Sequence, residues 1–290
     1  MVRLHIKKGD ESQFLYDTFV DCSIDQIINE VTIIYNGRLK VMRISHEIEQ
    51  LIKHGMLLPS NMMGLTDEQI EELKLKDEWG EKCSPMGGWT FNKDVMGRRN
   101  GRQPNDKMQQ VLSKAVQDAQ NMISKKLVNQ EELVTLKTVQ EALDLLRGAI
   151  MIVYPMGLPP QEIIRQEFEN TEDLSGTQAS LEVIDLQMSQ LWFSGKEMLR
   201  GKKLKDYVGP NEKTKIVVKL QKRGSGRPAR EPLMSEEARK QLMLYAYRRQ
   251  EELKKLEQDD DDEYLNSTWA DSSSLKRHFQ GLNNISWKPH

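Results

Sequence analysis

The first forty residues alternate apolar and polar positions and then change to helical spacing. Residues 2–7 have the two-residue period of a half-buried strand, and residues 12–19 predict its hairpin partner after a short polar turn. Ser23 lies where a helix N-cap is expected, and apolar residues then recur at intervals of three and four. The Asn36-Gly37 pair is typical of a helix end. We therefore predict a hairpin followed by one helix, the opening of a β-grasp fold.

The middle of the chain, residues 40–188, has mainly helical periodicity interrupted by loops. Thr66, Asn105 and Thr138 each precede a helical run and are predicted to be N-caps. Residues 80–104 hold seven glycines and prolines among basic residues, so we expect a long loop with little structure of its own.

Strand character returns at residues 190–193 and 215–220, and a glycine-rich linker follows. Ser235 is the predicted N-cap of a charged helix that ends before the acidic run at residues 259–263, because acids are unfavourable at a helix C-terminus. Residues 264–290 form an aromatic tail that we expect to be mostly irregular.

Residues 190–207 are similar to the second half of ubiquitin: a short strand, a Gly-Lys turn and a Leu-x-Asp-Tyr stretch occur in the same order. With the opening hairpin and helix, the resemblance implies that residues 1–36 and 190–222 form one split ubiquitin-like sheet. Two unrelated strand pairs are the alternative. A lone hairpin is marginal in water, which favours pairing the first and last strands. Conjugation in the manner of ubiquitin is not expected, because 64 residues follow the last glycine of the linker.

The predicted fold class is α+β: a ubiquitin-like β-grasp sheet interrupted by a large helical insertion, followed by a charged helix and a mostly irregular tail. The predicted domains are a split ubiquitin-like domain (1–38 plus 189–223), a helical insertion (39–188), a linker and charged helix with the acidic run (224–263) and the aromatic tail (264–290).

Composition limits the classes of partner. The 290 residues carry a formal net charge of −2, which gives no general attraction for nucleic acid. No apolar run approaches the roughly 20 residues of a membrane-spanning helix, so membrane insertion is not expected. Two cysteines cannot make a disulfide framework, and the chain is expected to be cytosolic with reduced thiols.

Candidate catalytic chemistry is weak. The five histidines and two cysteines occupy no recognisable catalytic or metal-binding motif, so we expect no enzyme activity and no cofactor. Residues 97–102 place three arginines beside two glycines but lack the Gly-Lys-Ser/Thr ending of a nucleotide-binding loop. Arg98 and Arg99 are therefore candidates for contacting an acidic partner, with a solvated turn as the alternative.

Large side chains supply further partner-binding candidates. Trp192 lies on the predicted aromatic strand, either on a docking face or packed inside the protein. The tail offers the anchors Trp269, Leu275, Phe279 and Trp287. A short irregular segment can bind by burying such anchors in a partner's groove, and the alternative is that they fold back on the chain's own helices.

At whole-chain scale the sequence is similar to the Kurly family of cilia- and flagella-associated proteins. The motifs include residues 97–101 (GRRNG), 151–160 (MIVYPMGLPP), 173–178 (DLSGTQ) and 275–279 (LKRHF). The resemblance implies an adaptor of the cytoplasm, the cilium and the ciliary basal body. It implies a role in assembly of axonemal dynein arms, with dynein arm assembly factors and chaperone machinery as partners. A structural component of the axoneme or basal body is the alternative.

Overall fold

The computed structural model describes residues 1–229 and 236–258 and has mixed helices and strands, in agreement with the predicted α+β class. The contacts divide the chain into two units, Met1–Glu231 and Pro232–His290. The strands are β1 (Val2–Lys8), β2 (Glu11–Thr18), β3 (Trp89–Phe91), β4 (Arg102–Pro104), β5 (Ser189–Phe193), β6 (Lys196–Glu197) and β7 (Lys215–Lys222). The helices are α1 (Ile24–His54), α2 (Asp67–Glu72), α3 (Glu78–Lys82), α4 (Asp106–Met122), α5 (Leu136–Val153), α6 (Ile163–Glu169), α7 (Gln178–Glu182), α8 (Lys205–Val208) and α9 (Glu236–Gln258).

Strands from the two ends of the first unit form one sheet. Among the described residues it has five strands in the order β2-β1-β7-β5-β6. The hairpin β1–β2 is antiparallel, and β1 pairs with β7 in parallel, with Leu4 opposite Ile216 and Ile6 opposite Val218. The predicted hairpin and the predicted pairing of the first and last strands are confirmed.

One face of this sheet packs against the N-terminal part of α1. Alternate residues of the strands point to the helix, as the two-residue period requires, and α1 supplies apolar residues at intervals of three and four. The residues that meet there are Val2, Leu4, Ile6, Phe14, Leu191, Val218, Leu220, Ile24, Ile27, Ile28 and Val31, all buried in one cluster. Burying each such side chain contributes roughly 1.5–3 kcal/mol, so this cluster is the main source of stability of the sheet.

α1 is one continuous helix of 31 residues, so the predicted helix end at Asn36-Gly37 is wrong. Ser23 is the N-cap as predicted, accepting from the backbone N–H of Gln26. Gly37 lies inside the helix, where a Cβ would stand 2.7 Å from Cγ1 of Val139 on α5. The glycine therefore permits close approach of two helices. The predicted domain border at residue 38 falls within this helix.

The C-terminal part of α1 is surrounded by α4, α5 and α6. Thr66 and Asn105 cap α2 and α4 as predicted. The predicted cap at Thr138 is wrong: Thr135 is the N-cap of α5, and Thr138 completes its capping box three residues later. The predicted loop at residues 80–104 contains the small antiparallel pair β3–β4.

The second unit is described over α9 alone. This helix has exposed apolar side chains, among them Met243 and Tyr245. The predicted cap Ser235 and the acidic run at 259–263 lie outside the described residues.

Candidate partner-binding surfaces

A loop between α3 and α4 holds large apolar side chains in contact with solvent. Trp89, Phe91, Val95 and Met96 are 45%, 69%, 98% and 74% exposed. We call these four residues together with Arg98 the loop surface. Four exposed large apolar side chains within residues 89–96 mark a candidate interaction site. This makes the loop surface the first candidate.

Backbone hydrogen bonds tie this loop to the end of α1 and to the chain that follows it. The N–H groups of Asn100 and Gly101 donate to the carbonyls of Met56 and His54, at 2.9 and 2.8 Å. Gly101 is also required by shape, because its φ is +72° and a Cβ there would stand 2.9 Å from the Phe91 ring. The loop is thus held in one conformation although its large apolar residues point outward.

Asp94 organises the turn that carries Val95 and Met96. Its carboxylate accepts from the backbone N–H groups of Met96 and Arg98 at 2.9 Å, and from that of Arg99 at 3.1 Å. Partial burial acts to raise the pKa of Asp94, but these three hydrogen bonds outweigh it and hold the pKa below its usual value. The Asp94 carboxylate therefore stabilises the turn, because its oxygens accept hydrogen bonds from the loop's own backbone.

Arg99 lies under the loop and is buried. One nitrogen of its guanidinium, Nη1, donates to the Gly55 carbonyl at 2.7 Å and lies 3.3 Å from Oε1 of Glu162. The other, Nη2, lies 2.7 Å from Oε2 of Glu47. The prediction that Arg99 contacts a partner does not fit this burial, because its donors are engaged within the protein. We call Arg99, Glu47 and Glu162 the ion cluster.

Glu162 is the deepest member of the ion cluster, with its side chain 0% exposed. Burial raises the pKa of its carboxyl, although the Arg99 charge and the Leu57 N–H at 2.8 Å act in the opposite direction. Pairing with Arg99 and the hydrogen bond from the Leu57 N–H offset part of the cost of burying this carboxylate. The cluster therefore links α1, the loop and the N-terminus of α6 at fixed positions.

The two other arginines of the loop stay near solvent. Arg98 is exposed, and no carboxylate pairs with its guanidinium in the part of the chain that the structure describes. The Arg102 guanidinium lies 5.3 Å from the centroid of the Trp89 ring and donates to the Gly80 carbonyl at 2.6 Å. Cation–π contact of this kind favours a fixed orientation of the ring. The loop surface therefore combines oriented apolar groups with positive charge.

A second candidate surface surrounds Trp192, on the face of the sheet away from α1. Trp192 and Lys219 are opposite each other on β5 and β7. The segment 225–229 crosses this face, with Lys219 Nζ donating to the Ala229 carbonyl at 2.9 Å. A groove of about 420 Å³ is lined by Trp192, Phe193, Val217 and Pro228, among others. We call it the outer groove.

Trp192 is half-buried in the outer groove, and its role in binding a partner stays a prediction. Its indole Nε1 is buried and has no hydrogen-bond acceptor among the described residues. A buried donor without a partner costs free energy, so the placement of this ring is not optimised for the protein's own hydrogen bonding.

The remaining sequence candidates are the tail anchors. Trp269, Leu275, Phe279 and Trp287 lie outside the described residues, so their role stays a prediction. Sequence reasoning missed Trp89, Phe91, Val95 and Met96. The signal was the presence of large apolar residues inside a segment rich in glycine and basic residues, where no core position was predicted.

Within residues 1–229 and 236–258, no three histidine, cysteine, aspartate or glutamate side chains are grouped so that they hold a metal ion. No helix in these same ranges has the length and apolar character needed to span a membrane.

The fold and these surfaces define an α+β protein whose best functional candidates are surfaces for binding other proteins. Comparison with known proteins identifies the family. The family model for cilia- and flagella-associated protein 298 matches residues 189–285. The chain is 63% identical to cilia- and flagella-associated protein 298 of Rattus norvegicus and 61% identical to that of Homo sapiens, each over 289 residues and 100% of both chains. It is 55% identical to the Drosophila melanogaster protein over 288 residues and 99% of both chains.

The chain belongs to the cilia- and flagella-associated protein 298 family, which confirms the resemblance to the Kurly family seen in its motifs. No solved structure matches the chain. The likeness to ubiquitin therefore remains a resemblance in sequence, together with the observed pairing of the first and last strands.

Proposed function

We propose that this protein is a non-catalytic adaptor with a role in motile cilia. It acts in the cytoplasm and at the ciliary basal body, in the assembly of axonemal dynein arms, with dynein arm assembly factors and chaperone machinery as partners. Membership of a family named for association with cilia and flagella is the observation that carries the ciliary part of this proposal.

The adaptor part of the proposal is supported by the two surfaces. A binding site gains affinity when its side chains are fixed before the partner arrives, because less conformational entropy is lost on binding. The loop surface meets this condition, with Val95 98% exposed on a turn fixed by Asp94. The outer groove adds a half-buried Trp192 among its lining residues.

The test is affinity purification of the tagged full-length protein from multiciliated cells. The expected result is a soluble protein that co-purifies with dynein arm assembly factors and chaperones and shows no turnover of its own. The alternative role is structural, in the axoneme or basal body. Salt extraction of isolated axonemes separates the two roles: a protein that stays with the extracted axoneme contradicts the assembly role.

A further inference from the structure

Leaving the apolar side chains of the loop surface in water costs free energy, which a partner that covers them would recover. Phe91, Val95 and Met96 are all more than two-thirds exposed, while their backbone is fixed by Asp94, by Arg99 and by bonds to the end of α1. Exposed apolar side chains at fixed positions have the properties of binding hot spots, which lose little entropy when a partner packs on them.

The charge at this surface is positive and local. The Arg98 guanidinium has no carboxylate partner within the described ranges, and Arg102 lies against the Trp89 ring. Asp94 is the acid nearest to them in the chain, and its oxygens are already accepting backbone N–H groups. A ligand with its own carboxylate would therefore meet Arg98 without displacing an existing ion pair.

We propose that the loop surface binds a short acidic segment of a partner protein, with an aspartate or glutamate paired to Arg98 beside aromatic or long aliphatic side chains packed on Phe91, Val95 and Met96. This inference rests on the proposed adaptor function and names the chemistry that one of its surfaces recognises.

A membrane is the other occupant that an exposed aromatic and basic loop suggests, and the flanking charges argue against it. The two short helices that precede the loop in the chain expose Glu71 and Glu72 on α2, and Glu78 and Glu81 on α3. Acids this close in the chain oppose a flat anionic bilayer, whereas a short peptide needs to contact the loop alone.

The experiment selects random peptides displayed on phage against the full-length protein. Counter-selection uses the full-length variant Phe91→Ser/Val95→Ser/Met96→Ser. The expected peptides combine aspartate or glutamate with aromatic or aliphatic residues. A selected peptide should bind Arg98→Glu about tenfold more weakly than the unchanged protein. Replacing the peptide's acids by lysine should restore its binding to Arg98→Glu.

Arg223→Glu is the matched control, since it reverses another exposed arginine and should leave peptide binding unchanged. The proposal is overturned if no peptide is selected, if the peptides carry no excess of acids, or if Arg98→Glu binds as well as the unchanged protein. Loop-dependent sedimentation with phosphatidylcholine–phosphatidylserine vesicles would assign the surface to a membrane. Self-association abolished by Arg98→Glu would assign it to a second copy. Either result overturns the proposal, and continued co-purification with assembly factors would leave the proposed function standing.

Discussion

The two ends of α1 are held in place by different kinds of interaction. Its first turns pack on the sheet through fully buried aliphatic residues such as Ile24 and Ile27. Its last turns meet the loop through the ion cluster and through backbone bonds to Met56 and His54. Apolar packing is tolerant of detail, whereas buried ions require exact partners. The comparison indicates that apolar packing stabilises the end of α1 at the sheet, which we call the sheet end, whereas specific ion pairs fix the end at the loop, which we call the loop end.

The first prediction concerns a variant that lacks the positive charge of the ion cluster at the loop end. Arg99→Met leaves Glu162 buried without its partner, and the expected loss is about 3–5 kcal/mol in the free energy of unfolding. Urea unfolding measures the loss. Hydrogen exchange should rise most in residues 86–102.

A double variant tests whether the loss comes from leaving Glu162 without its ion-pair partner. Arg99→Met/Glu162→Gln removes both charges and keeps an acceptor for the Leu57 N–H, so it should be more stable than Arg99→Met alone. Equal stability of the two variants would mean that the ion pair is not what holds the loop.

The second prediction makes a cavity at the sheet end. Ile6→Ala should lower the free energy of unfolding by about 2–5 kcal/mol, because Ile6 lies on β1 and is fully buried in the cluster beside α1. The control is Val217→Ala. Val217 lies on the outer face of the sheet, so its truncation should lower the free energy of unfolding much less. Exchange should rise throughout the first unit, in contrast to Arg99→Met; a change confined to the loop would contradict the comparison.

The third prediction concerns the middle of α1. Gly37→Ala gains helix propensity but places a methyl 2.7 Å from Val139, and overpacking of this kind costs about 1–3 kcal/mol. Gly148→Ala on α5 is the matched control. Apart from its two chain neighbours and the nearby backbone of α5 itself, no heavy atom of the described residues lies within 4 Å of its Cβ position, so it should stabilise the protein by about 0.5–1 kcal/mol. Thermal unfolding of both variants gives the signs, and stabilisation by Gly37→Ala would refute the close-contact explanation.

The fourth prediction is a pH dependence at the loop end. The pKa of Asp94 is lower in the folded protein, so its stabilisation is complete above the unfolded pKa and is lost as pH falls through the folded pKa. Asp94→Ala should cost about 1 kcal/mol at neutral pH, and the difference from the unchanged protein should shrink below about pH 4. Urea unfolding across this range is the measurement, and a difference that is constant with pH would contradict the role of the carboxylate.

The smallest effect is expected on the exposed residue itself. Val95→Ser removes a side chain that is 98% exposed, so the change in stability should stay within about 0.5 kcal/mol. Thermal unfolding checks this, with Val31→Ser in the buried part of α1 as the contrasting variant. A large loss from Val95→Ser would show that the loop surface serves the fold rather than a partner.

The sheet end was predictable because its signals are local and agree with one another. The alternation in β1, the cap at Ser23 and the alternation in β7 all point to the same strand–helix arrangement. Gly37 was misread because a glycine at a helix end and a glycine at a helix contact look alike in sequence. Only Val139, far along the chain, distinguishes them.

The loop end was predictable only in part. Arg98 and Arg99 are adjacent and chemically identical, yet one is exposed and the other is buried against Glu162. The difference arises from a carboxylate on a helix whose position depends on the whole fold. The predicted candidates therefore fell in the loop that exposes large apolar residues but could not separate its exposed arginine from its buried one.

The continuity of α1 has a geometric consequence. A helix of 31 residues is about 46 Å long, so its two extremities are kept apart by a nearly rigid spacer. Two partners bound at opposite ends of α1 would not collide, and the distance between them would be nearly constant. Gly37 lets α5 pack closely against α1 without a break in the helix, and the length of α1 is thereby kept.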